Sequence, residues 1–281
     1  MGDLIPLFPL GTPLFPGVVL PLQIFEPRYR RLVHDLIALP EGDDRRCFGV
    51  VAIRQGWEVE DVAPAEALYD VGCTARVRAV RSQPDGGFRI VTVGGERFRL
   101  LEVVVGEEPP YLQGEVEWLA DEEAAEEAAG DHEGMAGHGG IEVPAVGDNV
   151  TLDDVVASVA RGSMGLLARG VRDLFTRYVS EVAVLGAGGG GEDAADVEPA
   201  VDAETAVLLR AVADDPRALS YLVASAALLT TEDRQALLAE SATRRRLAAE
   251  SRLLRRELTL LQTLGAVPMP LGQFATPMTV N

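Results

Sequence analysis

The chain has 281 residues, 47% of them hydrophobic, and a formal net charge of −19 at pH 7. This length is enough for two modest domains, each with its own hydrophobic core. The acidity is concentrated: residues 119–148 contain nine Asp or Glu and residues 186–204 contain six, and neither segment contains Arg. Outside these segments 29 acidic residues stand against 25 basic ones. The folded parts are therefore close to neutral, which argues against binding to bulk nucleic acid.

All 25 basic residues are Arg, and the sequence contains no Lys. A Walker A loop needs a Lys to contact the nucleotide phosphates, and a Ser-Lys protease needs a Lys as its base. Arg does not replace that base, because its pKa lies above about 12. We therefore expect these residues to form no ATPase and no Ser-Lys protease centre, and we expect the chain not to be an enzyme.

The apolar residues 4–33 contain prolines at positions 6, 9, 13, 16 and 21. Each Pro removes a backbone donor and prevents a continuous helix, so this segment is not expected to cross a membrane. No basic residue precedes the apolar run, as it would in a signal peptide, and Asp3 lies there instead. We expect a cytoplasmic protein.

The first 119 residues contain a succession of short strand patterns and one helix. The helix is predicted to begin at Glu26-Pro27, with Tyr29, Leu32 and Val33 on its apolar face. Glycines at positions 94 and 95 are predicted to form a turn between two strands. The predicted strands are Leu4–Leu10, Val18–Phe25, Cys47–Ile53, Trp57–Val62, Val71–Val80, Phe88–Val93, Arg97–Val105 and Tyr111–Leu119. Such a series fits a small barrel or a strongly coiled sheet.

Three spaced motifs in this region carry a family resemblance. They are Ile-Pro-Leu-Phe-Pro-Leu at 5–10, Phe-Pro-Gly at 15–17, and Leu-Pro-Leu-x-Ile-Phe-Glu-Pro-Arg-Tyr at 20–29. The pattern resembles the N-terminal domain of the Lon protease family, and more closely the free-standing bacterial proteins built from that domain alone. Gly-Glu-Arg-Phe-Arg at 95–99 and Glu-Val-Glu at 115–117 fit the same order. The resemblance implies a PUA-like antiparallel β-barrel followed by an α-helical bundle, an α+β fold associated with recognition of protein substrates.

The second half of the chain is helical between two acidic linkers. Thr151 and Asp154 form a capping-box variant, and the helical stretch after them contains glycines at 162, 165 and 170 that are predicted to interrupt it. Further helices are predicted at Ala203–Ala213, Pro216–Leu229, Glu232–Ala239 and Arg244–Leu264. Asp215 is the predicted N-cap of the second of these, and Thr230 or Thr231 that of the third. The predicted domains are a barrel at 1–119, a linker at 120–149, a bundle at 150–265 that includes a linker at 186–202, and a tail at 266–281.

Several motifs imitate catalytic or cofactor sites, and we assign none of them a chemical role. The Gly-rich run at 186–191 formally matches a dinucleotide loop, but acidic residues that would repel pyrophosphate follow it. Ser163 lacks the first Gly of a nucleophile elbow, and His132 and His138 are too far apart in sequence for a zinc motif. Cys47 and Cys73 are predicted to be small buried hydrophobes. No catalytic, cofactor-binding or metal-binding residue is therefore expected.

The resemblance directs attention to apolar barrel surface that holds an unfolded or extended polypeptide. Leu20, Leu22, Phe25 and Tyr29 are the candidate peptide-binding residues from the matched motif, with core packing as the alternative for each. The expected function is non-catalytic recognition of protein substrates or partners, such as a quality-control adaptor acting with a protease. The alternatives are a hydrolase of unrecognised mechanism, and RNA binding through the barrel and an Arg-rich helix. That helix carries Arg244–Arg246, Arg252, Arg255 and Arg256, for which a solvated face is the simpler interpretation. No membrane partner is expected, and the oligomeric state stays open.

Overall fold

The computed structural model describes residues 2–54, 64–106, 108–121, 152–187 and 203–264. Its contacts divide the chain into two compact units, each assembled from two segments. We call the first the sheet unit, formed by Met1–Ala120 and Ala224–Ala239. The second is the helical unit, formed by Asp121–Val223 and Glu240–Asn281.

The sheet unit is built on six strands in one mixed sheet. The strands are β1 (Asp3–Leu10), β2 (Val19–Ile24), β3 (Cys47–Ala52), β4 (Val71–Ser82), β5 (Phe88–Val104) and β6 (Gln113–Leu119). Their order is β2-β5-β4-β3-β1-β6, and β6 also pairs with β5. Strands β5, β4, β3, β1 and β6 therefore close into a barrel, while β2 extends it as an edge strand beside β5.

The predicted α+β fold, a barrel followed by helices, is confirmed, with one difference in strand direction. The pairing of β1 with β3 is parallel, with Leu7 opposite Gly49, whereas the other strand pairs are antiparallel. β1 and β2 follow each other in sequence but pair with different neighbours. The sheet is therefore mixed, and the prediction of a purely antiparallel barrel is wrong in this one pair.

Phe98 fills the centre of the barrel and is completely buried. Its ring lies against two glycines, and a Cβ atom built on Gly49 would come within 2.7 Å of the ring, while one on Gly72 would overlap it. Leu7 and Val116 belong to the same core cluster. Burial of a side chain of this size contributes roughly 1.5–3 kcal/mol, so the ring and its two glycines act together to stabilise the barrel.

The predicted turn at Gly94 and Gly95 is wrong, because both residues lie inside the 17-residue strand β5. The backbone of the preceding β1–β2 connection crosses there, and a Cβ on Gly94 would overlap the carbonyl oxygen of Phe15. Gly94 N donates to Val18 O, and Gly17 N donates to Gly94 O, each over 2.8 Å. Glycine thus permits a close backbone approach at this point and does not reverse the chain.

The helices are α1 (Pro27–Ile37), α2 (Pro64–Ala67), α3 (Leu152–Ala187), α4 (Ala203–Ala211), α5 (Pro216–Ala226), α6 (Thr231–Ala239) and α7 (Thr243–Leu264). The apolar face predicted for α1 is confirmed at Tyr29, Leu32 and Val33, which are buried together with Leu36. The predicted cap of α5 is also confirmed, since the Asp215 carboxylate accepts a hydrogen bond from Ala218 N over 2.9 Å.

The glycines at 162, 165 and 170 do not interrupt α3, which is one helix of 36 residues. Glycine in a helix costs roughly 0.5–1 kcal/mol relative to alanine, but it keeps the backbone N–H that the helix needs. Val171, Phe175 and Tyr178 are buried along the same helix, and α3 packs along α7 within the helical unit. Burial of this apolar face therefore outweighs the cost of the glycines.

Helix α6 departs from the predicted domain division, because it belongs to the sheet unit and not to a bundle spanning 150–265. Gln235 Nε2 donates to Val71 O over 2.8 Å, and Thr231 Oγ1 donates to Gly11 O over 3.3 Å. Strand Trp57–Val62, the cap residue Thr151, most of both predicted linkers and the tail at 266–281 lie outside the described residues.

Candidate functional site

Strand β2 has β5 on one side and, among the described residues, no strand on the other. Its register places Val19 opposite Val93 and Leu20 opposite Thr92. Gly94 N donates to Val18 O, so the hydrogen-bonded pairs of this antiparallel ladder fall on even-numbered residues of β2. The peptide groups of Val19, Pro21 and Gln23 therefore point to the open edge.

Pro21 limits what this open edge can pair with. Proline has no backbone N–H, so Val19 and Gln23 supply the outward donors, while all three residues supply outward carbonyl groups. Proline is tolerated here because its missing donor would face away from the ladder. The edge can therefore accept a short added strand, but it is a poor template for extended sheet growth.

The side chains of β2 alternate between the barrel and solvent. Leu20 and Leu22 are half-buried and Ile24 is 3% exposed, whereas Val19, Pro21 and Gln23 are exposed. On the outward face Pro21 lies beside Val91 of β5, and Val91 lies beside Ala79 of β4. We call this outward surface the β2–β5–β4 face; it comprises Val19, Pro21, Gln23, Ala79, Arg81, Arg89, Val91 and Val93.

The four residues predicted from the motif do not share one surface. Tyr29 is 6% exposed, its ring centroid lies 4.1 Å from that of Phe8, and burial raises the pKa of its hydroxyl. Leu20 and Leu22 lie on the inner side of β2, and only Phe25, 66% exposed, is open to solvent. The exposed apolar residues of the face were missed, although the alternation of Val19, Pro21 and Gln23 in the sequence could have indicated them.

On the β2–β5–β4 face, the apolar row of Pro21, Val91 and Ala79 is bordered by a basic row of Arg81 and Arg89. Arg81 lies directly opposite Arg89, and Arg89 lies directly opposite Gln23, with all three side chains exposed. Neither Arg side chain makes an ion pair with any described residue. Like charges directly opposite each other in a sheet repel, so this pair destabilises the isolated sheet slightly.

A polar cavity of about 360 Å³ lies between β4 and the connection from α1 to β3. Its lining includes Arg46, Arg76 and Arg78. Arg76 donates to Asp44 over 2.7 Å, and Arg45 lowers the pKa of Asp43 to about 2 through hydrogen bonds to its carboxylate. The lining residues include no His, Ser or Cys. This arrangement organises surface charge and offers no nucleophile for catalysis.

Arg97, within the resemblance motif at 95–99, is 2% exposed and serves the fold of the sheet unit. Its guanidinium donates to Leu238 O over 2.8 Å and to Ala120 O over 3.2 Å. Leu238 lies in the last turn of α6, where the free carbonyl groups and the helix dipole favour a cation. The motif thus provides the residue that holds α6 on the barrel.

The interpretation of the Arg-rich helix as a solvated face is wrong for one residue. Arg246 is completely buried, and its Nε donates to Ser220 Oγ over 2.6 Å. Its guanidinium also lies 4.0 Å from the centre of the Tyr221 ring. The neighbouring Arg244, Arg245, Arg252, Arg255 and Arg256 are exposed. A buried, hydrogen-bonded Arg246 is part of the helical core and is not available to bind RNA.

The structure assigns no chemical role to the Ser, His and Cys residues considered in the sequence analysis. Ser163 lies inside α3, away from any strand-to-helix turn, and His132 and His138 lie outside the described residues. Cys73 is completely buried and burial raises the pKa of its thiol to about 12, while Cys47 is half-buried. In the described ranges no group of three or more His, Cys, Asp or Glu could hold a metal ion, and no helix is long and apolar enough to cross a membrane.

Comparison with known proteins identifies relatives over almost the whole chain. The family model of the ATP-dependent protease La (LON) substrate-binding domain matches residues 4–256. Lon protease 1 of Herpetosiphon aurantiacus is 28% identical over 263 residues, which cover 92% of this chain and 25% of that protein. The Lon protease of Anaeromyxobacter dehalogenans is 35% identical over 118 residues, covering 42% of this chain and 13% of that protein. The chain thus spans a quarter or less of the length of these relatives.

Two solved structures also resemble the chain. One is a Lon N-terminal domain protein from Xanthomonas campestris, with a TM-score of 0.48, 21% identity, and coverage of 95% of this chain and 99% of that one. The other is the N-terminal domain of a Mycobacterium avium complex Lon protease, with a TM-score of 0.49, 17% identity, and coverage of 90% and 98%.

Proposed function

The chain belongs to the family of the ATP-dependent protease La (LON) substrate-binding domain, and on this premise we propose that it binds polypeptides without cleaving them. The ligand is an extended segment of a protein substrate or partner. The absence of Lys from the sequence supports a role without Ser-Lys proteolysis or Walker A ATP hydrolysis. A protease is the partner that such a binding protein would supply with substrates.

The observation that carries this proposal is the open edge of β2 beside an exposed apolar row. An added strand would hydrogen-bond to the outward groups of Val19 and Gln23, and its outward side chains would lie beside Pro21, with Val91 of β5 one strand further from the edge. Addition of a strand to a sheet edge recognises the backbone, so it accepts many sequences. This is a suitable property for a protein that binds diverse unfolded substrates.

The expected affinity is modest. Each backbone hydrogen bond contributes about 1 kcal/mol net, and each well-buried Val-sized side chain contributes about 1.5–3 kcal/mol. Ordering of the peptide opposes these gains, and Pro21 removes one of the outward donors. Binding that is weak and reversible would allow release of the segment to a partner.

The test compares two valines of the same strand. Val91 and Val104 are both in β5 and both 39% exposed, but only Val91 lies on the β2–β5–β4 face. Binding of a reduced and alkylated, permanently unfolded protein would be measured for the full chain, Val91→Glu and Val104→Glu. We expect Val91→Glu to weaken binding about tenfold, because it places a charge beside Pro21, where an apolar side chain of the added strand would be buried, and Val104→Glu to have little effect.

A second variant tests the edge itself. Gln23→Pro removes an outward N–H while leaving the ladder to β5 intact, so we expect weaker peptide binding with unchanged thermal unfolding. Binding by Val91→Glu at the level of the original chain, or an equal loss in Val104→Glu, would show that the polypeptide does not bind at this face.

A further inference from the structure

The two exposed arginines of the β2–β5–β4 face, Arg81 and Arg89, differ in their surroundings from Arg76 and Arg99, which lie in the same two strands. Arg99, also on β5, lies directly opposite Glu117 of β6, and their side chains form an ion pair of 3.1 Å. Arg76 of β4 pairs with Asp44 over 2.7 Å. Arg89, by contrast, lies opposite Arg81, and no described acidic residue neutralises either one.

This pair is a local concentration of positive charge in a folded part that is close to neutral, because 29 acidic residues stand against 25 basic ones outside the two acidic segments. A directly opposed pair of like charges costs roughly 0.2–1 kcal/mol in a sheet. An anionic group bound between or beside the two guanidinium groups would remove that cost and gain charge-assisted hydrogen bonds. The charge pattern therefore favours a ligand that carries negative charge at this position.

We propose that the preferred polypeptides carry an acidic side chain next to apolar side chains on the same face of the extended segment. This inference rests on the proposed function. Along β2 the outward residues are Val19, Pro21 and Gln23, and Gln23 is the one in line with Arg89 and Arg81. A strand added to this edge would place one residue opposite Gln23, followed on the same face by residues opposite Pro21 and Val19.

The distance from Arg89 to such a strand is within reach of the side chains. Neighbouring strands are about 4.8 Å apart, so Arg89 is about 10 Å from an added strand in the direction across the sheet. An extended Arg and a Glu together span this gap across the shorter Gln23. The residue opposite Gln23 is therefore acidic, and the two that follow on the same face are apolar.

The same face suits a peptide better than a nucleic acid. Single-stranded nucleic acids are bound by aromatic side chains that stack on bases, combined with a basic groove. The row beside the arginines consists of Pro21, Val91 and Ala79, none of which is aromatic, and Phe25 just after β2 offers one exposed ring and not a series of stacking rings. Aliphatic side chains such as these pack against apolar side chains of a peptide. Negative charge on the ligand is favoured only beside Arg81 and Arg89.

The test uses three synthetic peptides of equal length and the full chain. On one strand face each peptide carries glutamate, lysine or serine followed by two valines, with serine at all remaining positions. We expect the glutamate peptide to bind about three- to fivefold more tightly than the serine peptide, as for an exposed ion pair. The lysine peptide should bind more weakly than the serine peptide, and added salt should reduce both differences.

Charge-reversal variants test whether Arg81 and Arg89 cause the preference for glutamate. The double variant Arg81→Glu/Arg89→Glu should prefer the lysine peptide, and Arg81→Gln/Arg89→Gln should bind all three peptides equally. Arg252→Glu/Arg255→Glu is the matched control, because it makes the same change in net charge at exposed positions of α7 in the helical unit. This control should keep the preference for glutamate.

The possible outcomes separate this inference from the proposed function. Equal binding of the three peptides, lost in Val91→Glu, would overturn the acidic preference and leave polypeptide binding at this face intact. Failure of all three peptides and of the unfolded protein to bind would overturn both. If a single-stranded RNA binds and loses affinity in Arg81→Glu/Arg89→Glu while the peptides do not bind, the face recognises nucleic acid and both proposals are wrong.

Discussion

The Arg97 guanidinium donates a hydrogen bond of 2.8 Å to the carbonyl oxygen of Leu238, a residue 141 positions further along the chain. The contact joins the centre of β5 to the last turn of α6 within the sheet unit. A buried cation at a helix C-terminus satisfies carbonyl groups that the helix itself leaves free. The barrel therefore depends on a helix that is distant in sequence.

Replacement of Arg97 by methionine should destabilise the sheet unit by roughly 2–3 kcal/mol, because it leaves buried carbonyl groups without their charged donor. The matched control is Arg99→Met on the same strand, whose exposed ion pair with Glu117 should be worth roughly 0–1 kcal/mol. Urea unfolding followed by the fluorescence of Trp118 measures the difference. Equal stability of the two variants would contradict the structural role of Arg97.

Residues 1–119 alone should form an incomplete barrel. Without α6, the side chain of Gln235 no longer donates to Val71 O, and Arg97 loses its contact with Leu238. We expect this fragment to unfold at a lower temperature than the sheet unit in the full chain. A synthetic peptide of residues 224–239 should raise the melting temperature of the fragment by binding to its folded state.

The peptide experiment has an internal control. A peptide in which Gln235 is replaced by alanine lacks the donor to Val71 O and should stabilise the fragment less. If the fragment is as stable as the sheet unit of the full chain, or if neither peptide shifts its melting temperature, α6 is not an integral part of the barrel.

The sequence predicted the elements of the barrel better than their connections. Alternation of apolar residues locates β4, and a short apolar run locates β3, each to within a few residues, although β3 is buried on both faces. The role of Gly94 was not predictable from its neighbours, because it depends on a backbone crossing by Phe15, which is far away in sequence. Local sequence favours a turn at two consecutive glycines, but tertiary structure determines the outcome.

The placement of α6 was missed for the same reason, whereas only part of the candidate site depends on tertiary structure. Thr230 was one of two predicted caps of α6, and its Oγ1 does accept a hydrogen bond from Asp233 N over 3.1 Å. Nothing in that local pattern indicates which unit the helix packs against. The motif at 20–29 identified the right strand, and alternation within it already indicates its exposed side, but the continuation of that face onto Val91 of β5 follows only from strand pairing.

Alanine substitutions at two kinds of glycine should have opposite effects. A Cβ on Gly170 of α3 meets nothing within 4 Å, so Gly170→Ala should stabilise the helix by roughly 0.5–1 kcal/mol. A Cβ on Gly72 overlaps the buried ring of Phe98, so Gly72→Ala should destabilise the barrel by roughly 1–3 kcal/mol. Thermal unfolding followed by circular dichroism measures both effects. A destabilising Gly170→Ala would indicate that the glycine serves packing or function and is not merely tolerated.

Glu250 should make the stability of the helical unit depend on pH. Its carboxyl group is 1% exposed and has no hydrogen-bond partner among the described residues, and burial raises its pKa well above the ordinary 4.5, while Arg246 opposes this effect. The folded state therefore holds this proton at pH values where the unfolded chain has released it. Stability should fall as the pH rises above about 4.5 and should stop falling above the pKa in the folded state.

Glu250→Gln removes the titration while keeping the shape of the side chain. Hydrogen exchange of the α7 amides would be followed between pH 4.5 and pH 7, with rates corrected for the intrinsic pH dependence of exchange. We expect the opening free energy to decrease with pH in the original chain and to be nearly independent of pH in the variant. The control is Glu181→Gln, because Glu181 is half-buried in α3 of the same unit and its carboxylate accepts a hydrogen bond from Gln262. If Glu250→Gln and Glu181→Gln have the same pH dependence, burial of Glu250 is not what couples stability to pH.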